Sequence, residues 1–452
     1  MALPFFVSLY VMNKATLILG ILYILVFWSI PSISAQESWS LEKCIKYAHE
    51  NNLQIKQQQL IVEQSQNNIQ QSKLDFLPSV NASISHNMNW GKSVNINDLQ
   101  INNTVSQSTS SSIGASMPIL QGLAKVNTLK SNKIQLQISQ QDIEKLKNDI
   151  TISITQAFLQ ILLSNEIYKS AQESYNSVAG QVEQCKKLVD AGSQAYSALL
   201  DIQAQLANEH MQLISAKNEV RSNYLALAQL LDLPQNIQFN IEAPSVENLL
   251  DEFQIMEVEQ IYNSAQSLPQ IRSAELSLEK SKYDYKIQKG NLYPSLSFSA
   301  GYGTYFSDNQ QQAFFTQFNE NRNPSVGFTL SIPIFNGWRT RNAVRNAKLN
   351  ITRGELELKK SHQQLYKDIQ QAYNNAQNAY EKHLAAKQNV DAAQESFNYV
   401  KQKFDIGMLN GTDYIVAKTN LFKSKSEYSQ TKFQYIFQLK ILDFYKGNPI
   451  KL

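Results

Sequence analysis

Proline is missing from residues 119–233 and again from 334–448 of this 452-residue chain. Proline ends or kinks a helix, so each gap leaves room for helices far longer than the three or four turns usual in globular domains. Charge is scarce too, at 17% of residues with a formal net of +3. That balance excludes the basic footprint of a nucleic-acid binder. Polarity comes from Gln, Asn and Ser instead, which suit a wetted but weakly charged surface.

Reactive chemistry is equally thin. There are two cysteines, Cys44 and Cys185, with no CxxC pair. The five histidines, His49, His86, His210, His362 and His383, include no pair at a ligand spacing of three or four, and they read as surface or lumen residues. No GxxxxGK[ST], HExxH or GxSxG occurs. The chain therefore reads as no enzyme, with no cofactor and no metal. Long apolar runs are absent beyond the N-terminus, so no second membrane helix is expected. There, Lys14 precedes TLILGILYILVFWSI and PSISAQ. This pattern predicts a secretory signal peptide over 1–35, cut after Ala35, with an uncleaved anchor helix as the alternative. Met12 offers a second start.

What is present is written twice. QIKQQQLIVEQS (54–65) meets QIRSAELSLEKS (270–281) at an offset of 216, as FLPSV (76–80) meets LYPSL (292–296). At an offset of 215, Pro118 meets Pro333, Gly122 meets Gly337, Asp190-Ala-Gly192 meets Asp405-Ile-Gly407, and Pro234 meets Pro449. This predicts an internal duplication, with units at 36–240 and 241–452.

Each unit has one grammar. A helix (about 40–76; 256–292) ends at Pro78 or Pro294. Strands of period two follow, at about 79–90 and 105–120, then 295–306 and 324–334. Between them lie polar loops (91–104; 307–322), expected to be extracellular. The return strands end in GASMPILQGLAK (114–125) and GFTLSIPIFNGWRT (327–340), strand-to-helix exits marked by Pro118, Gly122, Pro333 and Gly337. Long helices over 123–190 and 338–405 carry heptad apolar residues, Leu129, Leu136, Ile143 and Ile150, then Val344, Ile351, Leu358 and Leu365. Gly192 and Gly407 end them. Shorter helices return over 194–231 and 409–446. At 1.5 Å per residue the long helix is about 100 Å and each short one about 55 Å. Two short helices end to end match one long one, so each unit supplies two columns and a strand hairpin. Cys44 and Cys185 then lie too far apart to pair.

Four strands do not close a barrel. One face is Ser, Gly and Asn; the other is apolar and aromatic, with no charge on the quoted strands. That alternation suits a wet lumen and a lipid-facing exterior. Two copies would give eight strands and three would give twelve. An exported trimeric coiled-coil stalk or adhesin is the rival reading, and it leaves the strands without a role.

Taken together, the duplication, the FLPS and LYPS helix ends, the exits, and the phrases LVDAGSQAYSALLDIQAQLA and KFDIGMLNGTDYIVAKTNLF resemble the TolC-type outer-membrane efflux protein family. The likeness spans the mature chain. It implies an α+β membrane protein: a homotrimer with a 12-stranded barrel in the cell outer membrane, continued by a long periplasmic α-helical barrel. It implies the exit duct of a tripartite efflux or type I secretion system, passive to drugs, metals or secreted products. A periplasmic adaptor and an inner-membrane pump would be its partners. On the family's pattern the tips at Asp190, Gly192, Asp405 and Gly407 meet the adaptor. Asp413 matches one aspartate of the periplasmic aperture, while Val416 stands at the second. The arginine that latches some members falls near Leu409, so that latch is not expected.

Overall fold

The computed structural model describes residues 38–94, 101–234, 239–244, 257–406, 408–409 and 411–452. The expected signal segment and Gly407 lie outside the described residues.

In chain order, a two-residue strand β1 (Ser38–Trp39) leads to helices α1 (Leu41–Asn51) and α2 (Leu53–Leu74). The hairpin β2 (Ser79–Val94) and β3 (Ile101–Gln121) precedes the long α3 (Ala124–Asp190) and the returning α4 (Tyr196–Leu230). After β4 (Asn240–Ile241) come α5 (Val258–Ala265), α6 (Pro269–Gly290) and β5 (Ser295–Ser307). A short helix α7 (Phe314–Glu320) precedes β6 (Asn323–Ser331), and α8 (Arg339–Asp405) and α9 (Gly411–Tyr445) close the chain.

Both opening helices are broken where the sequence predicts single ones. The break between α1 and α2 has no Pro or Gly. Asn52 makes it: its side chain accepts from the backbone N–H groups of Gln54 and Ile55, capping α2. The same side chain donates to the carbonyl of Leu230 at 3.3 Å, and Asp232 accepts from the N–H of Leu53 at 3.0 Å. The end of α4 is thus pinned to the start of α2. The second break is set by Pro269 at the first position of α6, with Leu268 extended before it. The short helices do lie end to end against the long ones: α2 and α4 both pack on α3, and α6 and α9 both bridge α3 and α8.

The strands form one antiparallel sheet in the order β2-β3-β5-β6. Its register keeps the alternation coherent. Ser79, Ser116, Ser299 and Gly327 face one another across it, as do Asn81, Gly114, Gly301 and Ser325. On the opposite face run Val80, Ala115, Ala300 and Val326. The first hairpin is longer than expected, taking in most of the predicted 91–104 loop. The strand expected over 324–334 stops at Ser331, before Pro333. Within the expected 307–322 loop, Phe314–Glu320 is helical.

The largest core lies where the columns join. Trp39, Cys44, Ile154, Phe158, Leu227, Phe433 and Ile436 meet there, beside the parallel β1–β4 pair. Along α8, Gln-to-acid and Gln-to-Asn links join residues one turn apart, as from Gln364 to Asp368 at 2.8 Å and Gln371 to Asn375 at 2.8 Å. Among the described residues no helix is long and apolar enough to cross a membrane.

Candidate functional site

Three places along the long axis carry the functional expectations: the sheet, the strand-to-helix exits below it, and the far helix tips.

The polar face of the sheet is a ladder of hydroxyls. Ser79 and Ser116 lie 2.9 Å apart, Ser83 and Ser112 2.9 Å, and Ser85 and Ser110 2.7 Å. Period-two alternation places these on one side. The other side leaves Val80, Ile84, Val326, Phe328 and Leu330 exposed. An apolar face of this extent needs a cover.

Both exits use the same backbone device. Gly122 (φ 53°) and Leu123 (φ 62°) are left-handed, as are Gly337 (φ 62°) and Trp338 (φ 62°). Two consecutive left-handed residues reverse the strand into a helix, and glycine tolerates the first of them without strain. Their surroundings differ. A β-carbon on Gly122 would run into the carbonyl of Gly290. Lys125 donates to the carbonyl of Asp75 and lies 5.8 Å over the Phe76 ring. At the second exit Thr340 stands where the 215-residue offset places Lys125. A cavity of 370 Å³ opens there beside Asn291, Leu292, Ile334, Trp338 and Arg341. The Arg341 guanidinium sits 4.6 Å over the Trp338 ring. Pro118 lies at a register shift of β3, and Pro333 lies just past β6.

At the tip, Asp190 is the exposed last residue of α3. The N–H of Ser193 donates to Leu188 at 2.8 Å and that of Gly192 (φ 71°) to Val189 at 2.9 Å, the two-bond glycine cap of a helix end. In the second turn the N–H of Met408 donates to Lys403 at 2.8 Å, the same outer bond. Asp405 is the last residue of α8. Asp413 is exposed in the first turn of α9, where a carboxylate complements the helix dipole. Val416 is exposed three residues on. The structure therefore brings both turns to one end, and no cluster able to hold a metal occurs among the described residues.

Sequence reading missed three polar contacts between helices. Gln181 of α3 donates to the hydroxyl of Tyr414 of α9, and Tyr414 is buried against Phe397 and Phe404. Lys418 donates to the Ser174 carbonyl at 3.4 Å and faces Glu209. Burial lowers its ammonium to about 8, against the opposing pull of Glu209. Glu209 is itself buried, with one oxygen accepting from Gln205 at 2.7 Å. Further up, Lys432 donates to Glu166 at 2.9 Å. His383 is buried and stacked on Tyr428, contrary to its expected place on a surface or in a lumen; burial lowers its pKa, helped by Lys387 and Lys432. A signal existed. Glu209 continues the series Leu199, Ile202, Leu206, and His383 continues Ala372, Ala376, Ala379, so both stand at seam positions of their helices.

Cys44 and Cys185 are free and buried.

The chain also resembles known proteins. The profile of the outer membrane efflux protein family matches residues 44–232 and 260–447. The outer membrane protein TolC of Vibrio cholerae is 21% identical over 299 residues, covering 64% of this chain and 66% of that protein. The alkaline protease secretion protein AprF of Pseudomonas aeruginosa is 20% identical over 319 residues, covering 69% of this chain and 64% of its own length. The chain thus spans just under two thirds of these curated relatives. A crystal structure of CusC, described for its transmembrane channel formation, superposes with a TM-score of 0.76 at 15% identity, covering 92% of this chain and 96% of that one.

Proposed function

Because the chain belongs to the outer membrane efflux protein family, we propose that it is an outer-membrane exit duct, a passive channel serving a tripartite efflux or type I secretion system. One observation carries the reading: the sheet and the helical layer run out at the same two sides. The strand order β2-β3-β5-β6 leaves β2 and β6 unpaired at its ends. Below, the α2/α4 column borders one side and α8 the other. These borders expose heptad-spaced leucines, Leu53, Leu60 and Leu74 on one and Leu349 and Leu356 on the other. An open edge and an oily column are costly in isolation. A rotation that joins β6 to the β2 of a second copy also joins α8 to its α2/α4 column.

Such a heterologous contact closes into a ring. Three copies give a 12-stranded barrel with its apolar face in the outer membrane and its serine face around the lumen. The helical columns become the periplasmic tunnel. In this reading the chain is a duplicated unit, each copy giving a hairpin and two columns, and no step of its function is enzymatic. The secretion role in the name of AprF supports export; the partners proposed are a periplasmic adaptor and an inner-membrane pump, with the turns around Asp190, Gly192, Asp405 and Gly407 as the surface offered to the adaptor. Asp413 would bring one carboxylate per copy toward the periplasmic mouth, with Val416 adding none. A coiled-coil stalk has no use for a four-stranded sheet with an apolar face.

Cross-linking of detergent-extracted outer membranes, read as mass, tests the ring; conductance across planar bilayers tests the duct. A trimer with a stable open conductance is expected. A monomer, or a trimer without conductance, would overturn the reading.

A further inference from the structure

We propose that α7 (Phe314–Glu320), inside the segment expected to be an extracellular loop, is an interfacial anchor that lies outside the barrel on the lipid-facing sheet surface. Its occupant is the boundary between headgroups and acyl chains of the outer leaflet. The inference rests on the duct reading above.

Alternation decides which side the helix takes. Leu296, Phe298, Ala300 and Tyr302 lie on the apolar face of β5, so Thr304 and Phe306 lie on it too. The Thr304 hydroxyl donates to the carbonyl of Phe318 at 2.6 Å. The Phe306 ring meets Phe314 at 4.8 Å between centroids, and Phe314 stacks on Phe318 at 5.1 Å and 18°. The helix is therefore folded back over the apolar face, not across the bore. β6 pairs with β5 only from Ser295 to Gly303, so α7 borders the upper end of β5, where that strand has no β6 partner.

The fold-back is fastened. Gln317 is fully buried. Its amide donates to the carbonyls of Ser307 at 3.0 Å and Gln312 at 2.7 Å, and its oxygen accepts from the Ser307 N–H at 3.0 Å. Asn321 donates to the Tyr305 carbonyl at 2.8 Å. Yet Phe315 is 84% exposed on this fastened element. Fixing a turn of helix in order to hold a phenyl ring in water has no gain.

Depth agrees. From Leu296 to Phe306 a strand advances roughly 33 Å, which a barrel tilt of 35–45° reduces to about 25 Å, the usual height of the apolar band. Phe335 and Trp338 are exposed below its lower end. α7 sits at the upper end, where aromatic residues anchor at the interface.

The test is spin labelling of Phe315→Cys in the oligomer reconstituted into bilayers, with Phe328→Cys as the mid-band control and Ser83→Cys as the lumen control. Collision rates with oxygen and with a water-soluble nickel chelate are read, and the unsubstituted chain corrects for Cys44 and Cys185. At position 315 oxygen accessibility is expected to exceed nickel accessibility several-fold, with a depth shallower than at 328. Nickel access at 315 with lipid contact at 328 would overturn the anchor and leave the duct intact. Nickel access at 328 would overturn both. An immobile label at 315 shielded from both reagents would show a protein neighbour there, and would also overturn the anchor.

Discussion

Gly122 and Gly290 meet backbone to backbone, so that a β-carbon on either would collide with the carbonyl oxygen of the other. The contact joins the first strand-to-helix exit to the end of α6, at the level where the sheet gives way to the helices. Gly337, at the second exit, has nothing within 4 Å of the position its β-carbon would take.

The two exits should therefore answer the same substitution differently. Gly337→Ala meets only the left-handed strain, roughly 1–2 kcal/mol. Gly122→Ala adds a clash with immovable backbone and should cost about 3 kcal/mol or more. The oligomer's thermal dissociation on unheated gels would rank them. Equal losses would mean that a neighbouring copy crowds Gly337 as closely as Gly290 crowds Gly122.

Lys418 should make stability rise with pH. Its ammonium is lowered from 10.5 to about 8, first by burial, with Glu209 opposing. Between those values the unfolded chain holds a proton that the folded chain has released, so alkalinity favours the folded chain; below pH 8 both are protonated and the penalty is constant. Cys44 and Tyr445, both raised by burial, act in the opposite sense at higher pH. Comparison with Lys418→Met cancels them. Denaturant midpoints at pH 7 and pH 10 should show the wild type gaining on the order of 1 kcal/mol relative to the variant, after allowance for partial exposure. A parallel pH response in both proteins would refute the assignment.

Burial pushes the Cys44 thiol up to about 12 and also raises that of Cys185. Thiolate is the reactive form. At pH 8 the folded protein should take up almost no maleimide over an hour, and two per chain once denatured. Rapid labelling of the native protein at Cys44 would mean that the core around Trp39 and Phe158 opens.

Much of this architecture can be read from punctuation. The proline gaps, the paired glycines and the alternating serines foretold long helices, tip turns and a two-faced sheet, because each is a local backbone constraint. What escaped was tertiary. Asn52 interrupts a helix only because Leu230 and Asp232 arrive beside it from 180 residues away. α7 forms because Gln317 finds backbone partners within a loop whose composition is merely polar. Pro269 was different: it stood in plain view inside a helix predicted as continuous, and its N1 preference marks the break.

The joint between α4 and α2 offers the sharpest test of the end-to-end columns. Asn52→Ala removes a cap for Gln54 and Ile55 together with the link to Leu230, and should cost about 1–2 kcal/mol. Asp232 has φ 52° and accepts from Leu53. Asp232→Ala loses the carboxylate and strains the backbone, whereas Asp232→Gly loses only the carboxylate, so the glycine variant should be the more stable by about 1 kcal/mol. Both residues serve one joint, so the loss in Asn52→Ala/Asp232→Gly should fall short of the sum of the single losses. Hydrogen exchange localises the effect: amides at the start of α2 should lose protection while those of Gly192 and Ser193 at the distant tip keep theirs. Additive losses, or exchange that rises equally at the tip, would show that the two helices are merely adjacent and not joined.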